Sequence, residues 1–513
     1  MILLLLYPLS LAACVLTLSL WFYYQQKSFL GKVLRGAFFL SLLVYLLAWL
    51  LHAGDWNAKT AILVRDLIIL GAVPAVLSFL KNRSVAFFLL LGAAAAGLGW
   101  YLQGTSFYST KQPADSGFVY PEEAEWELLV ELQEGAPVEQ LQERLKEYGL
   151  LFVPAFTMEH PDWTELDDFY AVEIPENLEG QTDQIVQALE DSGLVDWVED
   201  NESVSVAPLP ERKLPKVNKK FGLNDPGLEF QWGLEATEAD QWYAQYRAGK
   251  LKPVQKALVA ILDTGIDVGH EDLKGRLVST RSEYDRDVQG HGTHCAGIAG
   301  AISNNGLGVA SLIPSDDFIA LTSIKVLNDY GMGTQRQIIN GMLEAADRGA
   351  AVISMSLGGR SSPSKQRAYR QAVQYANRAG AIVVVAAGNN GSDARQIAPA
   401  NTTGVIVVSA VDTLLNRASF SNQVDGLKMG VAAPGVAIYS TIPGGKYASF
   451  NGTSMATPYV AGVLGLMKSL RPDLNTEQAF ELLNRTGSRT GNTLQTGKLV
   501  MPAAALQQLQ EMR

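Results

Sequence analysis

"FNGTSMATPYVAGVLGLM", residues 450–467, runs from a short polar turn into an uncharged series of small and apolar residues. A helix that is apolar all round is a buried helix, so this stretch places a helix inside a core. Ser454 stands at its start, after Gly452 and Thr453 and before Met455, Ala456, Thr457 and Pro458. A serine there has two readings. It can cap the helix by accepting hydrogen bonds from orphan amides, or it can be a nucleophile, which requires a base within hydrogen-bond reach and an acid to orient that base.

The surrounding sequence supplies the layers that would bury such a helix. From about Trp232 onward, "ALVAILDTG" (257–265), "AAVISMSLGG" (350–359), "AIVVVAAGNNG" (381–391) and "GVIVVSAVD" (404–412) are apolar runs that stop at glycine or polar residues. Strands of that kind are covered on both faces, the pattern of a parallel sheet. Helices predicted at about 334–348, 364–379, 453–470 and 476–485 would cover it. In open α/β sheets the functional site lies at the carboxyl ends of the strands.

The unusual residues collect at those ends. Asp263 directly follows a strand in "LDTGID", and His291 opens "HGTHCAGIAG", where Gly292, Ala296, Gly297, Ala299 and Gly300 would let a helix pack closely behind the imidazole. Taken singly, each has an ordinary reading: Ser454 as a cap, His291 as a polar histidine, Asp263 as a turn former. Together, "DTGIDVGHEDL", "GHGTHCAGIAG" and "NGTSMATPYVAG" resemble the three signatures of the subtilisin-like serine proteases, the subtilases, in the order Asp, His, Ser. "SMSLGG" and "VVAAGNNG" resemble that family's cleft strand and oxyanion segment, and the resemblance spans about residues 222–507.

That resemblance implies that Ser454 attacks the scissile carbonyl, His291 takes and returns the proton, and Asp263 orients the imidazole. It also implies that Asn389 donates to the oxyanion. Ser356, Leu357 and Gly358 would pair with an extended peptide, while Ala386, Ala387 and Gly388 would wall a pocket with room for a large apolar side chain. "HGTHCAG" resembles the proteinase K and thermitase branches, which implies that Cys295 is a buried neighbour of His291 and not the nucleophile. Catalysis would require no cofactor. A structural calcium is an open reading, because "SNNGLGV" (303–309) with Asp272 resembles part of a calcium loop of the family, and no ligand set is assigned. Tyr459 departs from the family, which usually carries histidine at that place.

The N-terminal fifth has a different character. Four apolar runs, at about 3–24, 33–52, 60–80 and 84–102, are each long enough to cross a hydrocarbon core of about 20 helical residues. No basic residue precedes the first, against a cleaved signal peptide, and Cys14 in "LAAC" is read as membrane core. Lys27, Lys32, Arg35, Lys81 and Arg83 mark two basic loops as cytoplasmic, so everything after Tyr101 is expected outside the cytoplasm.

Between these parts, "WELLVEL" (126–132) and "DFYAVEIP" (168–175) read as strands, and "PVEQLQERLKEYG" (137–149) and "TDQIVQALEDSG" (182–193, capped by Thr182) as helices. "VDWVEDNESVSVAP" (195–208) closes the unit as extended chain. A small α+β sandwich of the split βαβ kind suits this order. Its place before the protease-like part resembles the family's ferredoxin-like propeptide, which implies a chaperone and inhibitor of the protease. "LPERKLPKVNKKFGLNDPG" (209–227) is rich in proline, charge and turn signals and reads as an exposed, cleavable linker.

The expected organisation is a membrane domain (1–104), a propeptide-like domain (120–208), a linker (209–223) and an α/β catalytic domain with a doubly wound parallel sheet (224–513). The partners would be protein or peptide substrates, the lipid membrane and the chain's own prodomain. A net charge of −11 speaks against a nucleic-acid surface, and two cysteines, Cys14 and Cys295, leave no disulfide within the soluble part. The expected function is a membrane-anchored serine endopeptidase made as a zymogen and cut after its prodomain. The alternative is an uncleaved membrane sensor or binding protein that uses a protease fold.

Overall fold

The computed structural model describes residues 14, 17, 18, 21, 28–50, 126–206, 209–210, 221–249, 251–361 and 366–512. The chain divides into two units, Met1–Tyr120 and Pro121–Arg513. In the first, helix α1 (Ser28–Leu50) covers most of the second predicted apolar run. Among the described residues no helix is long and apolar enough to cross a membrane. The other three predicted runs lie almost entirely outside the described residues.

The second unit opens with β1 (Leu128–Leu132), α2 (Val138–Arg144), β2 (Leu151–Pro154), β3 (Phe169–Glu173), α3 (Thr182–Glu190) and β4 (Val195–Asp200). These strands form an antiparallel sheet in the order β2-β3-β1-β4. Alternation along β1 explains its two environments. Leu128, Val130 and Leu132 pack with Leu141, Ile185 and Leu189 in the small sheet's own core, while Leu129 joins Phe169 and Ala171 in a cluster shared with the larger part.

Three local expectations are corrected here. Strand β2 comes from "LFVP", which is too short to announce itself by period. Helix α2 stops at Arg144 and passes into a 3-10 turn (Lys146–Tyr148) closed by Gly149 at φ +62, a left-handed value that ends helices. Thr182 is the first residue of α3 and not its cap, a position held by Gln181 without a side-chain hydrogen bond.

The chain continues through β5 (Ser203–Ser205) and β6 (Leu209–Pro210), which leave the small sheet and pair with the larger part. The start of the predicted linker is therefore β-paired at Leu209–Pro210 and not free, because backbone groups across from it were themselves unpaired. Residues 211–220 lie outside the described residues.

The larger part is built on β7 (Ala257–Asp263), α4 (His291–Gly300), β8 (Ile319–Lys325), β9 (Met332–Thr334), α5 (Gln335–Asp347), β10 (Val352–Met355), β11 (Gly359–Arg360), α6 (Arg367–Arg378), β12 (Ile382–Ala386), β13 (Ile397–Ala398), β14 (Val405–Val411), β15 (Gly430–Pro434), β16 (Ile438–Ile442), β17 (Lys446–Asn451), α7 (Thr453–Leu470) and β18 (Lys498–Leu499). Seven strands form one sheet in the order β18-β15-β14-β12-β10-β7-β8, and every pair in it is parallel. Alternate residues feed two cores, as the pleat demands. Val259, Ile261, Val384 and Val408 pack with Val460 and Leu464 of α7, whereas Ala260, Leu262, Met355 and Val385 pack with Ile338 and Met342 of α5 and Val373 of α6.

Helix α4 crosses close over the end of β7. A Cβ at Gly292 would overlap the Gly265 carbonyl and stand 3.1 Å from Asp263 Cβ, and one at Gly297 would overlap the Thr441 and Ser440 hydroxyls. Gly292→Ala is therefore expected to force α4 away from β7 and to destabilise the folded chain by about 1–3 kcal/mol, measured by denaturant unfolding.

Candidate active site

Asp263 and His291 meet where β7 ends and α4 begins. His291 Nδ1 lies 2.8 Å from Asp263 Oδ1 and 2.9 Å from Oδ2, and both side chains are buried. The first turn of α4 is fixed by Asp287, whose carboxylate accepts from Gly290 N (2.8 Å), Thr293 N (2.9 Å) and the hydroxyl of Thr264 (2.9 Å). Asp287 was missed by sequence reasoning, although an acidic residue just ahead of a helix start is a recognised signal.

Ser454 is the second residue of α7 and 7 % exposed. Gly452 occupies the cap position without any side-chain bond, so the capping role is not the one Ser454 performs. Its hydroxyl donates to the Ser356 carbonyl at 3.0 Å, and the Ser356 hydroxyl donates back to the Ser454 carbonyl at 2.8 Å. Cys295 ties the serine to the imidazole: Sγ is 3.4 Å from the Ser454 carbonyl and 3.9 Å from His291 Nδ1. His291 Nε2, the nitrogen turned away from Asp263, is buried without a hydrogen-bond partner.

Asn389 follows β12. Its Oδ1 accepts from both the backbone N and the hydroxyl of Thr453, each at 2.9 Å. That pair of bonds commits the oxygen and leaves the amide NH2 turned toward the start of α7, about where Gly452 would carry a Cβ, 3.5 Å from Nδ2. Ala387 and Gly388 continue from β12, with Gly388 N bonded to the Thr453 hydroxyl at 3.2 Å. Gly388 sits at φ +97, and a Cβ there would collide with the Asn422 amide. Ser356, Leu357 and Gly358 continue from β10, and β13 closes the 392–403 loop against β11. Asp263, His291, Ser454 and Asn389, with the cleft residues Ser356, Leu357, Gly358, Ala387 and Gly388, thus gather at the carboxyl ends of β7, β10 and β12.

Asp272 and the 303–309 loop form a separate latch. Asp272 accepts from Asn305 Nδ2 (2.8 Å), Val309 N (2.8 Å) and the Tyr447 hydroxyl (2.9 Å), and Asn305 Oδ1 accepts from Leu307 N. These oxygens are already directed at N–H and O–H donors, so the arrangement does not fit a calcium cradle. Tyr459, 3 % exposed, fills the space beside Gly233, where a Cβ would overlap its hydroxyl.

Burial works against a charged His291, but the Asp263 carboxylate at contact distance outweighs it, and the imidazole is held well above its ordinary range. Burial pushes the Cys295 thiol up, which keeps it neutral. His294, stacked on Phe450 with centroids 4.3 Å apart and bonded through Nε2 to the Ala448 carbonyl, is pushed down by burial to about 3.

Comparison with known proteins agrees with this geometry. Residues 255–500 match the family described as the subtilase family. The chain is 42 % identical over 284 residues to subtilisin DY of Bacillus licheniformis, covering 54 % of this chain and 98 % of that protein. It is likewise 42 % identical over 284 residues to thermitase of Thermoactinomyces vulgaris, covering 54 % and 96 %. A thermophilic serine proteinase of Bacillus sp. (strain AK1) is 34 % identical over 380 residues, covering 73 % of this chain and 85 % of that protein. The chain belongs to the subtilase family and is a subtilisin-like serine endopeptidase.

The two buried histidines are expected to titrate apart. In a ring-proton NMR titration, His291 should change charge above about 6.5 while His294 stays neutral across the range. Asp263→Asn removes the stabilising charge but not the burial, so the His291 midpoint should fall.

Proposed function

We propose that this chain is a membrane-anchored, extracytoplasmic subtilase made as a zymogen, with the β1–β4 unit as its inhibitory prodomain. The observation that carries the catalytic part is the buried Asp263–His291 pair, joined to Ser454 through Cys295 and Ser356. Rotation of the Ser454 side chain from the Ser356 carbonyl toward the free His291 Nε2 sets the reaction up. Ser454 Oγ then attacks the peptide carbonyl, Nε2 takes its proton, and Asp263 stabilises the imidazolium. The Asn389 amide and the backbone N–H of Ser454 receive the oxyanion. In subtilisin, a donor of this kind is worth about 10²- to 10³-fold in turnover. The C–N bond then breaks as Nε2 gives its proton to the leaving amine; water, losing a proton to Nε2, attacks the acyl-enzyme, and Nε2 returns that proton to Ser454 Oγ as the acid product leaves, with no cofactor needed.

Several features support the prodomain reading. The order β1-α2-β2-β3-α3-β4 is that of a ferredoxin-like unit, and the 380-residue match to the strain AK1 proteinase is too long to fit within residues 221–513. Glu199 accepts from Gln335 Nε2 at 2.7 Å and from Arg367 N at 3.0 Å, and Asn201 Oδ1 accepts from Arg336 N at 3.1 Å. The bonds from Arg336 N and Arg367 N satisfy orphan amides at the starts of α5 and α6, where negative charge is favoured. The apolar runs of residues 1–104 support the anchor, and the positions of the basic loops support an extracytoplasmic protease part.

Two measurements test this reading. The full chain and Ser454→Ala are expressed side by side, membranes are separated, and products are weighed by intact mass. Wild type is expected to release a soluble fragment beginning between about Leu209 and Asn224, and Ser454→Ala to remain full-length in the membrane. Retention of both proteins intact, with no fluorophosphonate labelling of Ser454, would instead favour the sensor or binding role.

The second measurement concerns pH. Glu131 lies 2.7 Å from Arg367 Nε and 3.2 Å from Gln371 Nε2, both on the larger part. Loss of water raises its carboxyl to about 7, with Arg367 and Gln371 pulling down and Glu165 and Asp196 pushing up. A raised carboxyl binds its proton on docking, so docking is strongest below the ordinary carboxylate range and weakens as pH rises through about 7. Hydrogen exchange of β1 should quicken over that interval in Ser454→Ala, and Glu131→Gln should flatten the dependence.

A further inference from the structure

Strand β9 presents two unlike faces to the chain that pairs with it. Its antiparallel partner is β5, with Ser203 opposite Thr334, Val204 opposite Gly333 and Ser205 opposite Met332. Gln335 N bonds to the Glu202 carbonyl at 2.8 Å and Val206 N to the Gly331 carbonyl at 2.9 Å. In an antiparallel ladder, hydrogen-bonded pairs alternate with pairs that make no such bonds. The bonds at either end therefore set Ser205 and Met332 in a pair of the second kind, in which the two side chains stand closest and on one face.

One face of β9 is bare. Gly331 and Gly333 lie there opposite Val206 and Val204, and a Cβ at Gly331 would stand 2.9 Å from Val206 Cγ2. The partner's side chains on that face enter the protein, and Val204 and Val206 are buried. On the open face β9 raises Met332, which stays 51 % exposed although β5 is paired beside it. Ser205 is exposed and too short to cover it. Thr334, the next side chain on that face, is committed to capping α5 through Gln337 N. Tyr330 and Val288 are also exposed, and Gln289, next to Val288, brings its Nε2 within 3.5 Å of the place of a Gly331 Cβ. Three large apolar side chains thus share one rim of the cleft, and grouped apolar surface is where ligands bind.

The register says which substrate residue meets Met332. On its other side Ser205 bridges to Gly358. An extended substrate in the same place sets its corresponding residue between Met332 and Gly358. Two positions further on, that substrate lies opposite Ser356, whose carbonyl accepts the Ser454 hydroxyl at 3.0 Å, so this is the residue whose carbonyl Ser454 attacks. The side chain over Met332 is therefore the third before the cut bond. Methionine is unbranched and polarizable and adapts to apolar side chains of different shape, whereas a carboxylate over it would lose water without gaining a partner.

We propose that Met332 is a specificity-determining residue that selects an apolar side chain at the third position before the cut bond. The inference rests on the protease reading of Ser454 and deepens it by naming the peptides that the cleft prefers.

Two peptides that differ only at that position, leucine or serine, are offered to the full chain, to Met332→Ser and to Met332→Leu. A cross-strand pair is worth about two- to fivefold, and wild type is expected to favour the leucine peptide in kcat/KM by that ratio. A bound β5 competes equally with both peptides and leaves the ratio intact. Met332→Ser should lose the preference and Met332→Leu should keep it. In the Ser454→Ala chain, Ser205→Leu should slow hydrogen exchange of the Val206 amide by about two- to fivefold, and adding Met332→Ser should cancel the gain. Equal cleavage of the two peptides by wild type, or a preference that survives Met332→Ser, overturns the proposal. An exchange rate indifferent to Ser205→Leu overturns the contact between that position and Met332. Cleavage of neither peptide also overturns it, and fluorophosphonate labelling of Ser454 then tells whether the protease reading falls as well.

Discussion

The buried contact between the Asp263 carboxylate and His291 Nδ1 is the interaction on which the rest of the protein depends. A carboxylate taken out of water is costly unless charge and hydrogen bonds compensate it. The imidazole and the Thr264 amide supply that compensation, the latter at 2.8 Å. To keep the pair dry, α4 must pass over the end of β7 at a distance that only glycine at 292 allows. The small residues along α4 and the apolar all-round α7 are consequences of the same demand. The parallel sheet gives the pair its place, because adjacent strands end together and bring Asp263, Ser356 and Ala387 to one edge.

A second constraint follows from the first. A cleft that binds extended peptides must leave strand edges unpaired, and such edges recruit any strand within reach. The helices beside it likewise begin with amides that need partners. In this chain the partners come from residues 199–210: carboxylate and carbonyl groups on the starts of α5 and α6, then two short strands along the cleft. Recognition between the small unit and the protease part is thus carried by backbone groups and by Glu131 and Glu199, two carboxylates whose burial raises both. The apolar contribution is narrow and specific, with Leu129, Phe169 and Ala171 on one face and Val204 and Val206 in the cleft.

The latch around Asp272 is held by hydrogen bonds in a loop whose sequence resembles part of a calcium site. Asn305, Val309 and Tyr447 direct donors at the carboxylate, and Tyr447 fills the space beside Gly308, where a Cβ would overlap its ring. Hydrogen bonds thereby hold a loop that resembles a calcium site in sequence. The residue pattern alone did not separate these cases, since asparagine offers either its oxygen or its NH2.

Sequence by itself indicated four of the seven strands of the large sheet, β7, β10, β12 and β14, the main helices that cover it, and the side chains of the candidate site apart from Asp287. Continuous apolar runs that end at glycine or at a functional side chain are local signals, and steric demands at Gly292 and Gly388 are written in composition. It also set the sign and order of the small unit's main elements, but not β2 or the early end of α2, which rest on four-residue pairing and a single left-handed glycine. What only the tertiary structure decided was which partner each polar group takes. Ser454 could cap a helix or face a base until Gly452 was seen to hold the cap position. Asn389 could offer either end of its amide until Thr453 claimed the oxygen. Residues 195–208 read as extended chain and the segment from 209 as a linker, and the pairing of β5 with β9 and of β6 with β17 depends on edges far away in the chain. Strand pairing and hydrogen-bond choice are relations between distant segments, so no single segment carries them.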